Sequence, residues 1–161
     1  MSGRPKFSSE IAKIAAAEIV SRLIGAGHFG EDDRDRCVSD LAKYGRQHAD
    51  GYEIGKALDN NAWWDCDFQM VEILDGYGSA VYRAIECAEK AWAERVKPQP
   101  RLPVGTRVSL PRGRSGVITG IYEYGAAKYL VKVDGEAAAK PPTNSRQILN
   151  FEDAVAEGGA A

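Results

Sequence analysis

The stretch Lys97-Pro98-Gln99-Pro100-Arg101-Leu102-Pro103 divides this chain into two unlike halves. Proline fixes its own φ and restricts the residue before it, so the stretch predicts a stiff, extended connector. Before it, apolar residues recur at the three-and-four spacing of helices, whereas after it β-branched residues alternate with polar ones between glycine turns. We therefore predict an α+β protein: an all-α helical bundle over residues 1–97, a proline-rich linker over 98–103, a small β-barrel over 104–153 and a disordered tail over 154–161.

The composition is that of a soluble globular protein. The chain has 161 residues, of which 44% are hydrophobic and 27% charged, and this length suffices for two small cores. No run approaches the roughly 18 apolar residues that a membrane-spanning helix needs, and the N-terminal residues lack the apolar core of a secretory signal. We expect a cytoplasmic protein without a membrane partner.

The formal net charge of −2 hides a reversal of sign along the chain. Residues 1–97 hold 13 Lys and Arg against 17 Asp and Glu, a net charge of −4. Residues 98–150 hold 8 against 3, a net charge of +5. Because local charge decides what a surface attracts, we expect the barrel to favour anionic ligands.

The first half predicts four or five short helices with polar caps, because Asp75-Gly76-Tyr77-Gly78 interrupts the fourth. Ser8 and Ser9 precede the first apolar stripe, Asp50 begins a capping-box pattern, and either Asp65 or Asp67 caps the fourth helix. The predicted helices run from Ser9 to Ile24, Glu31 to about Gln47, Gly51 to Leu58, Phe68 to Leu74 and Ser79 to Val96.

Aromatic residues are expected to fill the core of this bundle. They are Tyr52, Trp63, Trp64, Phe68, Tyr77 and Trp92. Adjacent residues point in different directions, so one indole of the Trp63-Trp64 pair is predicted to be buried and the other partly exposed. Two interpretations stay open: the pair anchors a loop, or it is the surface through which this chain docks on a partner protein.

Residues that commonly bind metals or perform catalysis form no motif here. Cys37, Cys66 and Cys87 are widely spaced and odd in number, so we predict buried thiols rather than a disulfide framework or a zinc site. His28 and His48 lack a second ligand at helical spacing. We expect no metal and no resident cofactor, and the pattern identifies no catalytic residue.

The second half predicts five short strands that close into a barrel, because an open sheet of this size leaves its edges unprotected. Asp134-Gly135 is a strong turn signal after the third strand. The predicted barrel core consists of Val108, Val117, Ile121, Leu130, Val133 and Ile148.

Basic residues with interleaved tyrosines make the barrel a candidate binding surface for phosphates or acidic side chains. The candidate binding residues are Arg107, Arg112, Arg114, Tyr122, Tyr124, Lys128, Lys132 and Arg146. The alternative interpretation is that these charges protect exposed strand edges and contact the acidic helical half.

The order Val-Gly-x-Arg-Val from Val104, a basic turn, and Gly-x-Ile-x-Gly-x-Tyr from Gly116 resembles an SH3-like barrel, a fold used by KOW and Tudor modules and many bacterial accessory domains. Over residues 102–155 the chain also resembles the plasmid-borne type II dihydrofolate reductases. That family binds folate and NADPH through a valine-glutamine-isoleucine-tyrosine strand. Gln147 and Ile148 match it, whereas Arg146 and Leu149 replace the valine and the tyrosine.

Three functions follow from these patterns. The first is a non-enzymatic binding protein whose basic barrel contacts nucleic acid or an acidic protein partner. The second is a reductase that uses NADPH, in an oligomer assembled through the barrel, with Gln147 and Ile148 at its active site. The third is an inhibitor or adaptor that docks through Trp63 and Trp64.

Overall fold

The structure is a computed structural model that describes residues 3–135 and 146–158. Helices come first and antiparallel strands follow, which confirms the predicted α+β class. The chain forms two compact units, Met1–Glu89 and Lys90–Ala161, so their division lies within the last helix rather than at the predicted linker. The helices are α1 (Ser9–Gly25), α2 (Arg34–Tyr44), α3 (Gly51–Ala62), α4 (Phe68–Leu74) and α5 (Tyr77–Val96).

Three polar side chains begin these helices as the sequence predicts. Ser8 accepts a hydrogen bond from the backbone N–H of Ile11, and Asp50 accepts one from that of Glu53. Of the two candidates for α4, Asp67 is the cap, because its carboxylate accepts from the N–H of Met70 at 2.8 Å. Each satisfies a backbone donor that the first helical turn leaves without a partner.

The backbones of α3 and α4 approach closely at Gly51. A Cβ atom on this residue would lie 2.1 Å from the carbonyl oxygen of Val71, which no larger residue tolerates. The N–H of Gly51 donates to the Asp75 carboxylate at 2.8 Å, so α3 begins against the end of α4. The glycine is therefore required by packing and not by its φ angle.

The core of the helical unit is aliphatic, with fewer aromatic residues than predicted. Trp64 and Tyr77 are buried in it, and Trp92 is also buried. The prediction is wrong for Tyr52, Trp63 and Phe68, which are exposed. Tyr52 and Phe68 lie in the first turns of α3 and α4. The largest completely buried aliphatic side chains are Ile19, Leu23, Leu41, Ile54, Leu58 and Leu74.

The C-terminal unit contains one antiparallel sheet with the order β4-β3-β2-β1-β5. A 3-10 turn at Phe151–Asp153 connects the last two strands, and the arrangement is compatible with a small barrel. The tail differs from the prediction of disorder, because Val155–Ala156 pairs with β1; residues 159–161 lie outside the described part. The strands are β1 (Arg107–Leu110), β2 (Arg114–Ile121), β3 (Lys128–Val133), β4 (Arg146–Asn150) and β5 (Val155–Ala156).

The core of this sheet uses one face of β3, whereas the predicted core took residues from both faces. Leu130 and Val133 are three residues apart and therefore lie on opposite faces of a strand. Val133 is buried, but Leu130 is not, and Tyr129 and Val131 occupy the inner face instead. Val108 is confirmed as core, whereas Val117, Ile121, Leu130 and Ile148 lie outside it. The buried residues are Val108, Leu110, Ile118, Tyr129, Val131, Val133, Leu149 and Phe151.

Two buried tyrosines differ in how their hydroxyl groups are satisfied. The Tyr129 hydroxyl accepts a hydrogen bond from the N–H of Leu102 at 3.0 Å, which ties the proline-rich segment to the sheet. The Tyr77 hydroxyl is buried and has no hydrogen-bond partner among the described residues. Burial also raises the pKa of Tyr77, so this hydroxyl stays protonated.

The two tyrosines give a matched pair of stability predictions. Tyr77→Phe removes an unsatisfied buried hydroxyl, so we expect the free energy of unfolding of the helical unit to rise by about 1 kcal/mol. Tyr129→Phe removes a satisfied one, so the second unit should lose about 1 kcal/mol. Urea unfolding of the full chain, followed residue by residue by NMR, separates the units. A loss of stability in both variants would contradict the assignment of the Tyr77 hydroxyl.

Candidate functional site

The outward face of β3 and β4 carries a shallow apolar groove. Leu130 and Ile148 are direct cross-strand partners there, and Ile148 is 45% exposed. On β2 the partner of Leu130 is Gly120, which follows a register shift after Ile118. The space beside Gly120 is open, because no atom lies within 4 Å of where its Cβ would be. We call the resulting depression of about 350 Å³ the outer groove. Its lining residues are Ile121, Tyr122, Glu123, Tyr124, Leu130, Arg146 and Ile148.

Two tyrosine rings stand at the outer groove. Tyr122 and Tyr124 follow the end of β2, and their ring centroids are 5.8 Å apart at an interplanar angle of 67°. Tyr122 is half-buried, while Tyr124 is 80% exposed. This edge-to-face contact orients the rings and leaves much of the Tyr124 ring open to a planar ligand.

A row of basic residues crosses the same face beside the groove. Arg107 is paired with Val117, Val117 with Lys132, and Lys132 with Arg146. Residues directly opposite each other in antiparallel strands share a face, so the three cations lie in one line across four strands. We call Arg107, Lys132 and Arg146 the basic row. Arg146 also lines the outer groove, which joins the two features.

The two ends of the basic row differ in charge. The Arg107 guanidinium contacts the carboxylates of Asp134 and Glu157, the latter at 3.2 Å, so this corner has one cation for two anions. Hydrogen bonds from Ser115 and Arg107 hold the pKa of Glu157 below its usual value. In the described part of the chain, Lys132 and Arg146 have no carboxylate within ion-pair distance, so the positive potential lies at their end.

The other predicted binding residues lie away from the groove lining. Arg112 is exposed in the 3-10 turn between β1 and β2 with a φ of 65°. Arg114 donates to the Gln147 side chain at 3.1 Å, and Lys128 lies at the far end of β3 opposite Asn150. The structure thus brings Tyr122, Tyr124, Lys132 and Arg146 together, with Arg107 at the far end of the basic row, and leaves the three other cations apart.

Sequence reasoning missed the apolar part of the site. Ile121, Leu130 and Ile148 line the outer groove, yet the sequence pattern predicts all three for the core and Ile148 as a site residue only for the reductase. The signal was present in β3, where Tyr129, Val131 and Val133 make an inner series that excludes Leu130. An alternating strand with apolar residues on both faces predicts a second buried or ligand-binding face.

Gln147 and Ile148 do not converge on one surface. They are consecutive on β4, so their side chains point to opposite faces of the sheet. Ile148 lines the outer groove, whereas Gln147 accepts the hydrogen bond from Arg114. The two positions that match the reductase strand therefore do not form a joint pocket within one chain.

The tryptophan pair divides as predicted, with one indole inside and one outside. Trp64 is buried, donates its Nε1–H to Asp40 at 3.1 Å and packs edge-on against Phe29 with ring centroids 4.8 Å apart. Trp63 is 88% exposed at the left-handed end of α3. Only Trp63 of this pair is exposed to solvent.

The cysteines differ in exposure, and they do not assemble a metal site. Cys37 is buried, Cys66 is half-buried and Cys87 is exposed, so the prediction of a buried thiol is wrong for Cys87. Burial and a hydrogen bond to Asp59 raise the pKa of Cys66 to about 12. Among residues 3–135 and 146–158, no cluster of His, Cys, Asp and Glu is suited to a metal ion, and no helix there has the length and apolarity to cross a membrane.

Comparison of the chain with protein-family models, curated proteins and solved structures finds no match in any of the three. The chemistry of the outer groove and the basic row therefore carries the functional argument.

The cysteine environments predict an order of thiol reactivity. Cys87 should react first with a maleimide at about pH 8, and Cys66 at least about a hundredfold more slowly, because few of its thiols are ionised. Mass spectrometry of digested, time-quenched samples measures the order. Urea-unfolded protein, in which the three rates converge, is the control; equal rates for Cys66 and Cys87 in the folded protein would contradict the structure.

Proposed function

We propose that the C-terminal unit is a non-enzymatic, SH3-like binding module that holds single-stranded nucleic acid in the outer groove. The observation that carries the proposal is the apolar and aromatic groove with the cationic end of the basic row beside it on the same face. Single-stranded nucleic acid repeats the same combination, because each nucleotide has a flat base and an anionic phosphate.

The groove supports base stacking. Tyr124 is 80% exposed and makes an edge-to-face contact with Tyr122, so a base stacks on its ring with little loss of side-chain freedom. Leu130 and Ile148 give the base an apolar floor. A duplex keeps its bases paired inside, so this site favours single strands.

The cations support phosphate binding. Neighbouring strands are about 4.8 Å apart, so Lys132 and Arg146 place two long, flexible cationic side chains next to each other at the groove. Each contact with a phosphate releases counterions, so binding should weaken as salt rises.

An acidic peptide fits the same surface less well. Glu123 lies in the groove lining, where its carboxylate repels Asp and Glu side chains but accepts hydrogen bonds from the amino groups of bases. The apolar floor offers no donor to a carboxylate. The groove thus favours a ligand whose charge is separated from its flat apolar part.

Nucleic-acid binding by the full chain provides the test. We expect an oligothymidylate of about 12 nucleotides to bind, and Tyr124→Ala to weaken binding about tenfold through loss of one stacked base. Lys132→Ala and Arg146→Ala should each lower the slope of log affinity against log salt by about 0.7. Fluorescence anisotropy at several salt concentrations measures both effects.

Matched controls come from the helical unit. Tyr82 is exposed like Tyr124 and Lys13 is exposed like Lys132, so Tyr82→Ala and Lys13→Ala should leave affinity unchanged. Binding of oligoglutamate but not of the oligonucleotide would assign an acidic protein as partner and reject the proposal. Oxidation of NADPH with dihydrofolate by the folded protein would reject it in favour of the reductase.

A further inference from the structure

The last described strand, β5, pairs with β1 next to Arg107, which is one end of the basic row. Val155 and Ala156 pair with Ser109 and Val108, and the N–H of Glu157 donates to the carbonyl oxygen of Arg107 at 2.9 Å. We call Val155, Ala156 and Glu157 the β5 latch. It is the only pairing of the β1 edge opposite β2 within the described residues.

The side chain of Glu157 occupies the surface that a phosphate would use. Its Oε2 atom lies 3.2 Å from Nε of Arg107, and its Oε1 atom accepts a hydrogen bond from the Ser115 hydroxyl. A guanidinium binds carboxylate and phosphate oxygens with the same N–H donors. Glu157 therefore stands where an anionic ligand extended along the basic row would reach Arg107.

An anion can displace Glu157 from Arg107, because the ion pair between them is partly exposed. The Arg107 side chain is 52% exposed and that of Glu157 is 30% exposed, so water and salt weaken their attraction. The strand itself contributes only two residues to the sheet. Asp134 remains on Arg107 when Glu157 leaves, so the corner changes by one unit of charge.

We infer that the β5 latch is autoinhibitory: Glu157 occupies Arg107 as an internal phosphate mimic, and a polyanion bound along the basic row displaces it and releases β5 from β1. This inference rests on the proposed function for its biological ligand. The competition with Glu157 for Arg107 does not require a base, so an anion without bases should compete in the same way.

The variant Glu157→Gln removes the charge and keeps the shape of the side chain. Glu152→Gln is the matched control, because Glu152 is an exposed carboxylate of the same unit in the turn before β5. The probes are the oligothymidylate of about 12 nucleotides and inorganic tripolyphosphate, which carries charge but no base. The readouts are anisotropy or calorimetry for affinity and hydrogen exchange of the Glu157 amide for the latch.

We expect Glu157→Gln to bind both probes up to about fivefold more tightly than Glu152→Gln at low salt. Addition of either probe to the unmodified protein should speed exchange of the Glu157 amide. If tripolyphosphate has these effects and the oligonucleotide does not bind, the autoinhibitory role of the β5 latch is supported and nucleic acid is rejected as the ligand. Equal affinities of the two variants, or slower exchange of the Glu157 amide with tripolyphosphate, would overturn the inference whether or not the oligonucleotide binds.

Discussion

Burial of Tyr129 is the constraint on which the C-terminal unit depends. Its ring packs against Phe151 with centroids 4.4 Å apart, and its hydroxyl holds the backbone of Leu102. One residue of β3 thus joins the segment before the sheet and the turn after β4. Since side chains alternate along a strand, placing Tyr129 inside also places Leu130 outside. The binding face and the core are two consequences of the same register.

In the helical half, the starts of helices could be predicted from local sequence, whereas the exposure of individual side chains could not. Ser8, Asp50 and Asp67 begin helices as predicted, because a cap depends on residues only three positions away. The exposure of Phe68 was not predictable in this way. Its hydrophobicity argues for burial, but its position on a seven-residue helix is decided by which face meets the other helices. Short helices contain too few turns to define an apolar stripe.

In the sheet, most of the strands could be predicted from local sequence, but the faces that they bury could not. Glycine turns and β-branched residues predict β1 to β4, but β5 lies in the segment that was expected to be disordered, and apolar residues on both faces of β3 leave the register open. The charge pattern was similarly incomplete. A basic stretch of +5 was evident in the sequence, whereas the two carboxylates that contact Arg107, those of Asp134 and Glu157, lie 27 and 50 residues away along the chain. Contacts between residues so distant are absent from any local pattern.

The pairing of β1 with β5 also affects how the unit folds and fails to fold. Val108 and Ala156 meet across 48 residues, whereas β2 and β3 are joined by a short turn, so the β1–β5 contact forms late and opens early. While it is open, β1 presents a row of unpaired backbone donors and acceptors, which is a template for a strand from another molecule. The small C-terminal strand therefore protects the protein from edge-to-edge aggregation, and conditions that loosen it should also lower solubility.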